Sequence, residues 1–517
     1  MAEVERGEGP AARLTPDVEA WLRAGAGRDE PCEGVIETSI SWIYLYADRA
    51  LKLKKALDLG FLDFSSDDKR RWACDRELAF NAPNAPDIYR RVHAITRGVD
   101  GALALDGDGP VAEWALEMRR FDETATLANR IPAIDGDFAE ALGRKVARFH
   151  GAAGPGQVGG GAAGLDFILR SNARLLRQAA PHLGVEAVER LLASTDDAFA
   201  AAAPLLDRRF RQGFVRCCHG DLHLGNILLE NAEPVLFDCI EFNDRLREID
   251  VLYDVAFLLM DLGFRGGGAA ANRVLNGWLD ESARTFGAPS WEGLAALPLF
   301  QSVRASVRAH VTGLEGRHDE ARRYVAAAEA HLAPRAARLV AVGGLSGSGK
   351  STLARALAPA IGGGPGAVVL RSDEIRKRLW RVAPTERLPP EAYRPEASAA
   401  VYGELFAAAV ACLAAGQSVI VDAVFLRADE RSRAEAVATA AGVSFDGVWL
   451  EAPPETLRRR IEGRTGDASD ADTRVLGLQL AADPGAIGWL RRSEANTPAG
   501  LAELRERIGL TPRSRKA

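Results

Sequence analysis

The nonapeptide GLSGSGKST at 344–352 fits G-x-x-x-x-G-K-[ST] in full. Its glycines let a chain wrap closely round phosphate groups, so that backbone N–H groups point inward. The grip also borrows the positive end of a following helix, so the motif demands a strand before it and a helix behind it. Both are legible: RLVAVGG reads as a short buried strand and KSTLARALAPAI as a helix. Downstream, GAVVLRSDEIRKRL, QSVIVDAVF with DERSRAEAVATAAG, and FDGVWLEAP with PETLRRRIEGR repeat strand then helix. That alternation predicts a parallel sheet.

Within this frame the loop residues Gly344, Ser346, Gly347, Ser348, Gly349 and Thr352 are candidate nucleotide contacts, with Lys350 reaching the outer phosphates and Ser351 ligating Mg²⁺. Asp373 falls just after a strand, where it can hold an acceptor hydroxyl or act as general base. Asp422 ends the strand SVIVDAVF and suits a Walker-B-type acid. The bland alternative for each is a capping or turn aspartate. Arg460 and Arg464 are four apart and share a helix face, as a lid over the transferring phosphate would require. Arg458 and Arg459 read as a solvated basic face.

A second device lies upstream. In CHGDLHLGNILL and the following LFDCIEFN, Asp221, Asn226 and Asp238 are the residue types that serve phosphoryl transfer. One carboxylate orients or deprotonates the acceptor hydroxyl, while an amide oxygen and a second carboxylate hold the metal. ILLENAEPVLFD between them reads as a hairpin that returns Asp238 beside Asn226. A rival reading takes His219, Asp221 and His223 as an H-x-D-x-H site for zinc or iron, but it leaves Asn226 and Asp238 without a role.

At 517 residues and 47% hydrophobic content the chain exceeds one typical domain and can bury large cores. With 71 acidic and 65 basic residues its formal charge is −6, so no nucleic-acid partner is expected. Cys32, Cys74, Cys217, Cys218, Cys239 and Cys412 show no zinc or disulfide spacing, as expected of a cytoplasmic chain. MAEVERGEGPAARL lacks the apolar core of a leader peptide, and no run of about eighteen apolar residues is read, so no membrane span is expected. TSISWIYLYADRALKLKKAL reads as a hairpin turning near Ala47 and Asp48. SSDDKRRWACDRELAFNAP reads as a helix, and IYRRVHAITR, GALALDG and VAEWALEMRRF as strands. Helices dominate from Asp137 to about His331, VLYDVAFLLMDLGF among them as a buried one, and GAAGPGQVGGGAAG at 151–164 is a flexible loop by composition. The expected organisation is a flexible segment 1–30 with a short helical pattern around VEAWLRAG, domains 31–335 and 336–510 with separate cores that meet near Pro334, and a basic tail 511–517.

The motifs GLSGSGKST, RSDEIRKRL, VIVDAVF and RRRIEGRTGDASDA resemble the P-loop kinase group of gluconate kinases, chloramphenicol phosphotransferase and zeta-type toxins over about 336–510. HGDLHLGN resembles the HGDxxxxN loop of the aminoglycoside phosphotransferase and choline kinase group over about 35–333. That resemblance implies an α+β bilobal protein-kinase-like fold followed by an α/β P-loop domain. It also implies Lys52 in RALKLKK as the phosphate-binding lysine, with Lys54 and Lys55 as neighbouring alternatives, and Glu77 in CDREL as its partner. WALEMRRF would be the hinge whose backbone near Glu117 and Met118 meets adenine, with Asp250 and Asp254 bracing the loop. No glycine-rich loop covers this presumed site, and Cys-Ile-Glu follows Asp238 where protein kinases have Phe-Gly, so protein-kinase activity is not expected. In this order the two parts resemble bacterial fusions of an aminoglycoside-phosphotransferase-like domain with a P-loop ATPase. The function so implied is an ATP- and Mg²⁺-dependent kinase with two nucleotide sites, acting on hydroxylated small molecules. The alternatives are a P-loop kinase regulated by a nucleotide-sensing first domain, or a zeta-like stress kinase.

Overall fold

The computed structural model describes residues 14–158, 160–286, 290–464, 466–493 and 497–510. The basic tail 511–517 and the first thirteen residues of the 1–30 segment lie outside the described residues. By compactness the chain forms two units: Met1–Ala133 with Gly154–Gly164 and Val215–Asp250, and Ile134–Ala153 with Leu165–Phe214 and Val251–Ala517.

The first unit is built on an antiparallel sheet of β1 (Gly34–Glu37), β2 (Ser41–Leu45), β3 (Arg49–Lys54), β4 (Tyr89–Arg97), β5 (Leu103–Leu105) and β6 (Val111–Arg119), in the order β1-β2-β3-β6-β4-β5. The hairpin register pairs Leu45 with Ala50 and Ile43 with Lys52. The short helical pattern around VEAWLRAG forms helix α1 (Pro16–Arg23), whose Val18 and Leu22 are buried against Tyr44, Tyr46, Leu51 and Leu53. Burying that apolar stripe outweighs the polar, glycine-rich composition around it. Helix α2 (Asp67–Asn81) starts on Ser66, whose side chain accepts from the Lys69 N–H, and carries Asp67 and Asp68 at its positive end.

Strand β7 (Val215–Cys217) pairs with β10 (Glu248–Asp250), and β8 (Ile227–Glu230) with β9 (Glu233–Leu236). The β8–β9 turn uses the left-handed residues Asn231 and Ala232. It brings the Phe237 N–H onto the Asn226 carbonyl at 3.1 Å, which puts Asp238 next to the loop it serves. Part of the glycine-rich stretch expected as a flexible loop is a strap. The Gly154 carbonyl accepts from Cys217 N–H at 2.9 Å, and Gly156 N–H donates to Val215 at 3.0 Å.

The second unit contains helices α3 (Gly136–Ala152), α4 (Gly161–Leu183, from its fifth residue on), α5 (Val185–Arg211), α6 (Val251–Phe264), α7 (Gly268–Thr285), α8 (Leu297–Leu314) and α9 (His318–Leu332). Leu176, Val188, Phe257, Met260 and Tyr324 share one core there. Helix α6 is buried nearly all round, which admits Asp254 only because its carboxylate meets His150 Nε2 at 3.0 Å and lies near Arg304. The same unit holds a parallel sheet of β11 (Arg338–Gly344), β12 (Val368–Arg371), β13 (Val419–Asp422), β14 (Ser444–Leu450) and β15 (Leu490–Arg492), in the order β12-β13-β11-β14-β15. Its helices are α10 (Lys350–Leu357), α11 (Ser372–Leu379), α12 (Pro395–Ala414), α13 (Ala428–Ala440), α14 (Pro454–Glu462), α15 (Thr473–Ala481) and α16 (Pro498–Arg507). Contrary to the reading of no such run, α12 is long and apolar enough to cross a membrane by length and composition alone, with mean hydropathy 1.6. Its Val401, Leu405, Phe406, Ala409 and Cys412 are buried within this unit.

Strand β12 is an edge strand, and α7 covers it. Asn276 Oδ1 accepts from Val369 N–H at 2.7 Å, and Asn272 Nδ2 donates to the Ala367 carbonyl at 2.9 Å. Two side-chain amides thus satisfy backbone groups that would otherwise stand open for another strand. Arg284 adds a bond to the Val382 carbonyl at 2.7 Å. The seam expected near Pro334 is therefore crossed by hydrogen bonds from α7, well upstream of it. Asn276→Ala leaves the Val369 N–H unpaired, so a loss of about 1–3 kcal/mol in chemical denaturation is expected. An unchanged unfolding midpoint would show that the amide is dispensable.

Candidate active sites

In the first unit the chemistry gathers where β3, α2 and the segments flanking β8–β9 meet. Lys52 Nζ donates to Glu77 Oε1 and to Asp238 Oδ1, each at 2.7 Å. Two residues on, on the same face of β3, Lys54 donates to the other Glu77 oxygen and to Glu241. Burial opposes charge on Lys52, but Asp238 and Glu77 outweigh it and hold the ammonium well above its ordinary range. Burial also opposes charge on Glu77, and the two lysines overcome it, pulling that carboxyl down. Burial together with Glu77 pushes the Glu241 carboxyl up, against the pull of Lys54.

Asp238 adopts a left-handed backbone, φ 63°, and its N–H donates to the Tyr89 hydroxyl at 3.0 Å. A non-glycine residue held there costs of order 1–3 kcal/mol and persists only where its surroundings fix it. Tyr89 and Asn81, whose side chain accepts from Cys239 N–H at 2.8 Å, provide that fixing. Asn226 Nδ2 donates to Asp221 Oδ2 at 2.9 Å, so its Oδ1, the atom a metal would use, faces away from Asp221. His219 meets the Phe237 carbonyl through Nε2 at 2.9 Å and the Asp221 N–H through Nδ1 at 3.4 Å. Both its ring nitrogens thus serve the main chain, and His219 acts as a brace of the loop, which disfavours the H-x-D-x-H metal reading.

A cavity of about 640 Å³, lined by Ile36, Leu45, Arg119, Phe121, Glu123 and Leu228 among others, adjoins this cluster. A smaller pocket sharing several of those residues continues to Met118, Phe237, Lys52 and Asp238. Met118 lies on its wall. The Glu117 carboxylate instead meets Arg90 and His93, each at 3.0 Å, on the opposite face of β6. Alternation along a strand forces that division.

In the second unit the loop between β11 and α10 carries left-handed Gly347 and Gly349, at φ 81° and 93°. A Cβ on Gly347 would stand 2.7 Å from the Leu457 carbonyl. Ser351 Oγ donates to Asp422 Oδ2 at 2.6 Å, joining the two expected metal ligands. Lys350 Nζ donates to the Leu345 carbonyl at 3.1 Å. Burial pulls its ammonium down, against the opposing pull of Asp422 and Asp373. Ser346 and Ser348 are buried in the loop, whereas Thr352 is exposed on the helix. The Ser346 N–H donates to Gln479 Oε1 at 2.8 Å. Arg460 donates to the Gly347 and Ser348 carbonyls at 3.3 and 3.4 Å, and Arg464 to the Ser469 carbonyl at 3.4 Å.

Sequence reasoning passed over Lys54 as a structural partner, and with it Glu241, Tyr89, Asn81, Arg371 and Gln479. For Lys54 the signal was present, since residues two apart on a strand share a face. The lysines should separate by substitution. Lys54→Met leaves the buried Glu241 without its lysine and Glu77 with Lys52 alone, so a stability loss of about 3–5 kcal/mol is expected in chemical denaturation. Lys52→Met leaves Glu77 paired to Lys54, so a smaller loss is expected, with weakened ATP binding in calorimetry on a Lys350→Ala background. Equal stability losses would remove the distinction.

Two family models match the chain: the Phosphotransferase enzyme family over residues 70–297 and an AAA domain over 339–483. Uncharacterized proteins of Mycobacterium tuberculosis and Mycobacterium bovis are each 30% identical over 467 residues, covering 86% of this chain and 89% of theirs. Among solved structures, a choline/ethanolamine kinase family protein from Mesorhizobium loti is 13% identical, covers 60% of this chain and 98% of its own, and superposes with TM-score 0.34. An APS kinase of Mycobacterium tuberculosis, in complex with AMPPNP and APS, is 26% identical, covers 34% of this chain and 98% of its own, and gives TM-score 0.24. The two family matches support a phosphotransferase or kinase type of activity. The chain belongs to the family of these mycobacterial proteins, a fusion of a phosphotransferase-family, kinase-like domain with a C-terminal P-loop domain.

Proposed function

We propose that the chain is a cytoplasmic kinase with two nucleotide sites. Each would bind ATP with Mg²⁺ and transfer a phosphoryl group to a hydroxyl of a small molecule, of sugar or aminoglycoside-like type. One observation carries this reading: each site has its own lysine beside its own set of oxygen donors. Lys52 is held between Glu77 and Asp238, and Lys350 precedes the Ser351–Asp422 pair.

Asn226 and Asp238 in the first site, and Ser351 and Asp422 in the second, offer the hard oxygen ligands that Mg²⁺ prefers. When bound, the ion neutralises charge on the phosphates. The lysines add fixed positive charge at the outer phosphates. Asp221 takes the proton of the acceptor hydroxyl as that oxygen bonds to phosphorus and ADP leaves. Its side chain is 38% exposed, which leaves the acceptor an approach. Asp373, at the start of α11, takes the matching role in the second site.

The roles in the first site separate on a Lys350→Ala background, which silences the second. Asp221→Asn removes the base and spares the metal ligands. It should bind Mg-ATP as the parent does, with transfer in a metabolite-library screen lower by roughly 10²–10⁴. Asp238→Asn removes a charged ligand and should weaken Mg-ATP binding itself in calorimetry. If both variants bind like the parent and the parent phosphorylates nothing, the kinase reading of the first site fails.

A further inference from the structure

Around the second site the charged side chains form a closed circuit that leaves the P-loop module and returns to it. Ser351 Oγ rests on Asp422 Oδ2, and the Arg371 Nε stands 3.4 Å from that same oxygen. Arg371 is almost fully buried, and its terminal nitrogens are bonded to two other acids, Glu374 on Nη1 at 2.8 Å and Asp467 on Nη2 at 2.7 Å, leaving only Nε for the longer contact with Asp422. Glu374 in turn faces Arg144 of α3 at 3.9 Å. Arg144 is bonded to Glu140 one turn earlier at 3.1 Å, and Glu140 meets Arg355 at 3.0 Å. Arg355 lies four residues after Ser351 on α10, so the circuit closes on the helix that carries the loop lysine and the metal-ligating serine. Helix α3 falls within the stretch matched by the phosphotransferase family, upstream of the P-loop module.

We infer that Arg144 is a positioning residue of the P-loop site, supplied by the kinase-like region: through Glu374 it keeps Arg371 from closing onto Asp422, and so keeps Asp422 available to the metal. Glu374 is the pivot. Burial works against its charge, as do Asp280 and Glu140, while Arg371 and Arg144 favour it. Without Arg144 the balance shifts towards the protonated acid, which holds a guanidinium far less strongly. Arg371, still held by Asp467 on its Nη2, then tightens its 3.4 Å contact with Asp422 and competes with the metal for the oxygen that Ser351 now contacts. Glu140 acts at the other end, fixing Arg144 and the α10 residue Arg355 with one carboxylate. The P-loop site thus depends on a helix that its own sequence motifs do not include.

This inference rests on the reading of residues 344–352 as a Mg-ATP site. The test uses the full chain with Asp238→Asn, so that the first site is weakened, and follows ATP binding by calorimetry with and without Mg²⁺. Lys350→Ala defines the signal that belongs to the P-loop. Arg144→Ala is expected to raise the Mg²⁺ concentration at half-saturation by roughly 10–100-fold, the usual effect of losing a residue that orients a metal ligand. Metal-free ATP binding should be unchanged, and Arg144→Lys should recover part of the shift. Arg148→Ala, an exposed arginine on the same helix, should leave both curves in place. If Arg144→Ala does not fold, Arg144→Gln is read in its place. An unmoved Mg²⁺ midpoint in a folded variant overturns the inference. Absence of any signal that Lys350→Ala removes overturns the Mg-ATP reading instead.

Discussion

Glu77 has no exposed surface, and a carboxylate in that position is tolerable only with full compensation. Two lysines from one face of β3 provide it, one on each oxygen. The consequence reaches beyond the pair. Because Lys54 holds Glu77 from one side, Lys52 is free to share itself with Asp238, 186 residues later in the chain. The Asp238 backbone is bent into the left-handed region and fixed there through the Tyr89 hydroxyl, while Asn81 of α2 receives the next N–H. The helix that carries Glu77 therefore also pins the segment that carries Asp238. One buried carboxylate sets the relation of strand, helix and the Asp238 segment in the first site.

The second site solves a different problem. A parallel sheet has two edges, and β12 is one of them. Side-chain amides of α7 satisfy its backbone where a further strand would otherwise add. Covering an edge this way removes a route to association, and it also places helices α3 and α7 beside the end of β12, where Arg371 turns back towards Asp422. The arginines and acids that meet there are mostly buried, so each must find a partner. Those pairings run from α3 through Glu374 and Arg371 to the Asp422–Ser351 contact.

Much of this was legible in the residues themselves. The P-loop, the strand-then-helix alternation behind it and the hairpin after Asn226 are local patterns, in which period and turn residues decide the element. The spacing of Asp221, Asn226 and Asp238 pointed to one loop and its return strand for the same reason. Other expectations went astray where a non-local term outweighed composition. Gly154 and Gly156, in a stretch read as flexible by composition, are ordered by strand β7.

The sequence alone determined the element order, the P-loop and the HGDLHLGN motif, because those properties depend on neighbours in the chain. Only the tertiary structure decided which of Lys52, Lys54 and Lys55 faces Asp238, that Arg460 bonds the loop carbonyls, and that the Glu117 side chain turns away from the cleft while Met118 lines it. Only it, too, brought Arg144 to Glu374 and Asn276 to Val369. Those outcomes are partner choices among buried polar groups. They are settled by which charges and open backbone groups share a low-dielectric interior, and no spacing within the chain encodes that company.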